Sequence, residues 1–175
     1  MKLNQRYAIN TFFDSVNTLM GVILGLYLAA SFNVDLVSVS VITTAVALGI
    51  SAGTSTFEAE QLEQERRYKE LQHAMGYQIS EAQLKKEATL IGLIVGFINF
   101  IIPLLMATIA LVIIARFSSF DAALVVVIIV FLTTLFITGV GFGRLNDLNP
   151  IKRGIRMLLL GGVTFVICFL VGSIV

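Results

Sequence analysis

The sequence predicts an all-α integral membrane protein with five transmembrane helices. Its 175 residues are 57% hydrophobic and 13% charged, whereas a soluble domain is about 45–50% apolar and about 25% charged. The hydrophobic residues fall into five long runs, each near the roughly 20 residues that a helix needs to cross a bilayer. The runs are too long for the strands of a membrane barrel, and they lack the alternation of such strands.

The five spans and one insertion account for the chain as a single domain. The second span loses hydrophobicity at "ALGISAGTS" (47–55), whose small residues allow two helices to approach closely in lipid. In the third span, Asn99 and Pro103 interrupt an apolar run, and the proline leaves the Asn99 carbonyl without its usual helical partner. The predicted spans cover residues 8–31, 36–57, 88–114, 121–142 and 155–175, and the insertion covers residues 58–87.

Lysine and arginine are distributed unequally between the two sides of the predicted membrane. Eleven of the twelve lie in the N-terminal tail, in the insertion, or between the fourth span and the start of the fifth, a side that we call the basic side. The other side has Arg116. Because basic residues accumulate in cytoplasmic loops, the pattern predicts a cytoplasmic N terminus, and five spans then put the C terminus outside. The net charge of +1 gives no indication of nucleic-acid binding.

The insertion is predicted to continue the second span as a cytoplasmic helix to about residue 75 and to return as a short second helix. Acids precede bases by four residues, as in Glu63 and Arg67, which is the favourable order in a helix. Two interpretations stay open. The insertion is a solvated helical hairpin with paired surface charges, or it is an antechamber for cations, because carboxylates suit hard divalent ions. In the second case Glu58, Glu63 and Glu70 are candidate metal ligands.

Asp14 is a carboxylate inside the first predicted span. It follows Ala8 by roughly 9 Å of helix, which is too deep for its short side chain to reach the interface. Its insertion as an anion costs on the order of 3 kcal/mol. Asn17 and Thr18 share its helical face. The residue is either a structural acid hydrogen-bonded to another helix or a site for a cation or a proton.

Two further patterns have both a structural and a functional interpretation. Gly21 and Gly25 form a GxxxG pattern, which packs helices within one protomer or at a dimer seam. In the second span Ser51 and Thr54 carry hydroxyls, and Glu58 shares the face of Thr54. These residues either line an ion path or have a local explanation, in which the hydroxyls bond to their own helix.

Three motifs in order resemble the vacuolar iron transporter (VIT)/CCC1 family. "FDSVNTLMGVILGL" (13–26) resembles its first-span signature, roughly F-D-G-L-x-T-x-x-G-V-x-x-G-L. "GFINFIIPLL" (96–105) is similar to its third span, which ends in P-L-L. "NPIKRGIRMLLLGG" (149–162) resembles its N-P-L-x-x-G-x-R-M segment before the last span.

The resemblance implies a five-helix protomer that dimerises through the first span within the lipid bilayer. It implies export of cytosolic Fe²⁺ or Mn²⁺ in exchange for protons, without a permanently bound cofactor and without enzymatic activity. The ion path would pass Asp14, with Asn17, Thr18, Ser51 and Thr54 along it, and the glutamates of the insertion would collect metal. The expected location is the cell membrane of a prokaryote.

The sequence departs from the family pattern in two ways, which keep a second function open. The family's second span reads S-M-x-x-G-E-Y, whereas "GISAGTS" (49–55) has Ile50 and Thr54 in place of methionine and glutamate. Glu58 lies one turn later and would replace the lost carboxylate. The insertion is also shorter than in iron-storing members. The alternative is a non-transporting dimeric scaffold or regulator whose charged hairpin binds a partner. Nothing in the sequence indicates an enzyme, because it has no nucleophile–base pattern or paired catalytic carboxylates.

Overall fold

A computed structural model describes residues 2–29, 33–75, 81–146 and 148–174. Within these ranges the chain forms five α-helices, each long and apolar enough to cross a membrane, which confirms the predicted all-α fold with five spans. In chain order they are α1 (Lys2–Leu28), α2 (Val34–Met75), α3 (Glu81–Arg116), α4 (Phe120–Leu145) and α5 (Pro150–Ile174).

Two helices are longer than their hydrophobic runs. α2 continues from its span through the acidic segment to Met75, and the predicted break at Gly76 lies outside the described residues. α5 begins at Pro150, before its apolar run. Proline suits the first turn of a helix because its fixed φ is already helical, and the Asn149 side chain accepts a hydrogen bond from the Lys152 backbone N–H.

α2 and α3 pack as a close antiparallel pair. A Cβ atom built on Gly53 would lie 3.0 Å from the Gly96 carbonyl oxygen, and one built on Gly96 would lie 2.8 Å from the Gly53 carbonyl oxygen. One built on Gly49 would lie 2.7 Å from the Phe100 carbonyl oxygen. The weakly hydrophobic stretch 47–55 therefore provides the close approach that its small residues predict. α4 and α5 form a second antiparallel pair, in which Gly139 packs against the Arg153 carbonyl.

α1 is the central helix of the protomer, since it contacts each of the other four. One face carries the largest part of the apolar core, including Leu19, Met20 and Ile23. The helix pairs are antiparallel and α1 runs parallel to α5, because Asn17 lies near Gly161 and Leu28 near Gly172. The starts of α1, α3 and α5 and the ends of α2 and α4 therefore lie on one side of the protomer, which is the basic side. α5 is the most exposed span, with apolar side chains over most of its surface.

We expect Gly96→Ala to lower the stability of the protein by about 1–3 kcal/mol, because the new methyl group meets the Gly53 carbonyl and forces α2 and α3 apart. Thermal denaturation in detergent, followed by size-exclusion chromatography, measures the effect. Gly162→Ala in α5 is the matched control, because nothing lies within 4 Å of the position of its Cβ. An equal melting temperature for the two variants would contradict the close contact.

Candidate functional site

Asp14 lies at a polar cavity of about 280 Å³ between α1 and α2. Asp14 is exposed, and within the described part of the chain its carboxylate has no hydrogen bond or ion pair. Ser51 of α2 lines the same cavity, so two of the predicted pathway residues come together. The lining residues are Tyr7, Asn10, Thr11, Asp14 and Ser15 from α1, and Leu48, Ser51, Ala52, Ser55 and Thr56 from α2.

The back of the cavity is built from buried polar contacts. Thr11 Oγ1 donates a hydrogen bond of 2.7 Å to Asn99 Oδ1 of α3. Asn99 is 0% exposed, and its Nδ2 donates to the Val95 carbonyl at 2.9 Å. Ser15 Oγ donates to the Thr11 carbonyl at 2.5 Å. These bonds satisfy the polar groups that interrupt α3 and fix α1 against α3 close to Asp14.

Three other predicted pathway residues do not line this cavity. Asn17 faces α5, with its Oδ1 atom 3.8 Å from the position that a Cβ on Gly161 would occupy; this oxygen is buried and has no hydrogen-bond partner among the described residues. Thr18 is exposed on α1. Thr54 is exposed on α2, and its hydroxyl bonds to the Ile50 carbonyl at 2.7 Å, which is the local explanation that the sequence left open.

The three glutamates predicted as metal ligands in the insertion lie at the surface or in ion pairs. Glu58 is exposed and does not line the cavity. Glu63 pairs with Arg67 at 3.0 Å and Glu70 with Arg66 at 3.1 Å. Surface pairs of this kind contribute about 0–1 kcal/mol. In the part of the chain that the structure describes, no three histidine, cysteine or acidic residues cluster as a metal site, so metal binding here stays a prediction.

Glu60 is a buried carboxylate that sequence reasoning missed. It is 3% exposed, and its Oε1 accepts a hydrogen bond of 2.6 Å from Gln64 Nε2. Its Oε2 is buried without a hydrogen-bond partner among the described residues. Glu60 follows Thr56, a lining residue of the cavity, by four positions, and therefore lies on the same face of α2 about 6 Å towards the basic side. That four-residue spacing was the available signal.

The two glycines of the GxxxG pattern have different surroundings. A Cβ on Gly21 would lie 3.5 Å from Cys168 Sγ of α5, so Gly21 packs within the protomer. Gly25 is exposed, with nothing within 4 Å of the position of its Cβ. It continues an exposed stripe of small and polar residues along α1, the outer stripe. This stripe consists of Asn10, Asp14, Thr18 and Gly25.

The sequence model of the VIT family matches residues 59–173, about two thirds of the chain. The chain belongs to the VIT family. The match covers the "GFINFIIPLL" and "NPIKRGIRMLLLGG" segments and confirms the resemblance. The VIT family is associated with membrane transport of metal ions, and this member is a multi-pass membrane protein. No curated protein matches the chain.

Proposed function

We propose that this VIT-family protein exports divalent metal ions, Fe²⁺ or Mn²⁺, from the cytosol in exchange for protons, with Asp14 as the pathway carboxylate. The observation that carries the proposal is an unpaired carboxylate at a polar cavity, within a helix apolar enough to span a membrane. An ionisable group at such a position requires a partner, a proton or an ion. A carboxylate that binds either a proton or a metal ion provides the chemical basis of exchange.

The chemistry of the cavity suits hard or borderline cations. Asp14 supplies an anionic oxygen, and Ser51, Ser55 and Asn10 supply neutral donors. Such oxygen-rich sites suit Mn²⁺ and Fe²⁺ better than soft ions, which prefer sulfur ligands. The family methionine is replaced by Ile50, which is exposed and outside the lining. Selectivity among hard divalent ions therefore depends on oxygen geometry and on the number of carboxylates.

A second copy of the chain supplies the missing negative charge. One carboxylate leaves a bound dication with an excess positive charge, whereas two copies of Asp14 related by a two-fold axis neutralise it. The outer stripe of α1 supports this arrangement, because a polar face exposed to lipid is unfavourable. Pairing the stripe with its own copy gives a self-complementary interface. The open space at Gly25 allows the two helices to approach closely.

The direction of transport follows from the proposed orientation. The basic side, with the extension of α2 and the start of α3, faces the cytosol by the distribution of lysine and arginine. Asp14 lies towards that side of α1. Glu60 lies between the extension and the cavity, so it is the carboxylate that a cytosolic cation would meet before Asp14. We therefore assign the entrance role, which the sequence suggested for Glu58, to Glu60.

A non-transporting scaffold is the second candidate function. Its support is the surface of the α2 extension, where two ion pairs are exposed and metal ligands do not cluster within the described residues. Loss of the family methionine and glutamate at Ile50 and Thr54 agrees with it. A scaffold predicts protein partners but no ion flux, so flux measurements separate the two functions.

We expect Asp14→Asn to abolish uptake of Mn²⁺ or Fe²⁺ driven by a pH gradient in proteoliposomes. Asparagine keeps the size of the side chain but removes the charge that binds either the proton or the metal. Asp35→Asn at the exposed start of α2 is the control and should transport like the wild type. Wild-type flux in the Asp14→Asn protein would refute the role of Asp14, and absence of flux in the wild type would favour the scaffold.

We expect Glu60→Gln to raise the metal concentration for half-maximal uptake on the order of tenfold, since a buried carboxylate attracts the incoming dication. Glu58→Gln, two residues away and exposed, is the matched control and should change this concentration little. Initial uptake rates over a range of Mn²⁺ concentrations give both values. A larger effect for Glu58 would return the entrance role to that residue.

We expect Gly25→Leu to reduce the dimer fraction in detergent, because the larger side chain fills the space at the outer stripe. Size-exclusion chromatography with light scattering measures the mass. Gly162→Leu on α5, where a Cβ also meets nothing within 4 Å, controls for the added side chain. An unchanged dimer in the Gly25→Leu variant, or a monomeric wild type, would contradict pairing through α1.

A further inference from the structure

A second cavity, of about 290 Å³, opens between α1, α4 and α5 on the basic side. Two arginines, Arg153 and Arg156, line it together with apolar side chains that include Phe13, Met157 and Leu160. The arginines lie in the first two turns of α5, three residues apart, and therefore share a helical face. The cavity combines two cationic groups at the end of a membrane span with an apolar wall that continues into the span.

The positive charge of this cavity is not neutralised by the described residues. The ion pairs that the structure describes lie in α2, and neither includes Arg153 or Arg156. No acidic residue lines the cavity. The guanidinium carbon of Arg153 lies 5.7 Å from the centre of the Phe142 ring, a cation–π contact that holds this half-buried side chain in place. The two cations are thus positioned for an anion from outside the protein.

We propose that this cavity binds an anionic phospholipid, with its phosphate at Arg153 and Arg156 and an acyl chain along Phe13, Met157 and Leu160. Arginine binds phosphate oxygens through paired N–H groups. Basic pockets between transmembrane helices bind anionic headgroups, which lie at this level of the membrane. The apolar wall favours a lipid over free phosphate, because it offers nothing to a small, fully hydrated anion.

The bound phosphate also acts on the Asp14 cavity, an effect that rests on the proposed transport of divalent cations. Asn10 lines both cavities, so one side chain separates them. Two uncompensated guanidinium groups at this distance repel a dication, and little screening occurs in a partly buried site. The phosphate cancels their charge and so raises the affinity of the Asp14 cavity for metal.

Lipid retention tests the binding site without reference to transport. Full-length protein is reconstituted in equal parts of phosphatidylglycerol and phosphatidylcholine, extracted in mild detergent, and its retained lipids are counted by native mass spectrometry. We expect a preference for phosphatidylglycerol of at least several-fold, lost in an Arg153→Gln/Arg156→Gln variant. An Arg66→Gln/Arg67→Gln variant removes two arginines from the α2 extension and should keep the preference. No preference in the wild type, or equal preference in all three proteins, would overturn the proposal.

Two further measurements close the alternatives. Arg156→Gln alone spares the contact with Phe142, so it should fold normally and still weaken the preference; full retention in this variant and in the double variant would overturn the site. Inorganic phosphate at millimolar concentration should not displace the lipid, and displacement would identify a free-phosphate site instead.

Transport in defined lipids tests the link to Asp14. We expect phosphatidylglycerol to lower the Mn²⁺ concentration for half-maximal uptake by the wild type, and to do so less for the double arginine variant in the same vesicles, which share one surface potential. An equal lipid effect on both proteins would overturn the link. Absence of uptake in every lipid would instead refute the proposed function, while the retained phosphatidylglycerol would still establish the lipid site.

Discussion

The hydrogen bond from Thr11 to Asn99 fixes the position of the central helix. Both side chains are buried, at 7% and 0% exposure, so neither has access to water. A buried partner left unpaired costs about 1–3 kcal/mol, and α1 and α3 therefore stay in register at this level. Since α1 contacts the other four helices, this register also determines where the Asp14 cavity and the outer stripe lie.

The protomer sorts its polar groups in the way that lipid requires. Apolar side chains cover most of α5, whose surface faces the hydrocarbon, whereas the polar groups of α1 lie in hydrogen bonds, at cavities or along one exposed face. Asn10 connects these regions, because it belongs to both cavities and to the outer stripe. Lipid, the ion and the second protomer are therefore proposed to act within a few ångströms of one another.

The five helices followed from the sequence because hydrocarbon leaves the backbone few alternatives: a long apolar run must satisfy its own hydrogen bonds. The site was predicted only in part. Spacing identified Asp14 and Ser51 correctly as lining residues of one cavity, yet it also suggested Asn17, which faces α5. Helical periodicity shows which residues share a face, but the neighbour of that face depends on packing between helices. The burial of Glu60 was missed for the same reason.

The length of α2 has a mechanical consequence. Between Gly53, which is clamped against α3, and Met75 the helix has no glycine or proline, so it behaves as a stiff rod of roughly 33 Å. A tilt of about 5° near Gly53 displaces the far end by about 3 Å while the neighbouring hydroxyls of the cavity barely shift. Small rearrangements around Asp14 are thus magnified at the tip of α2, where a spectroscopic label would report them.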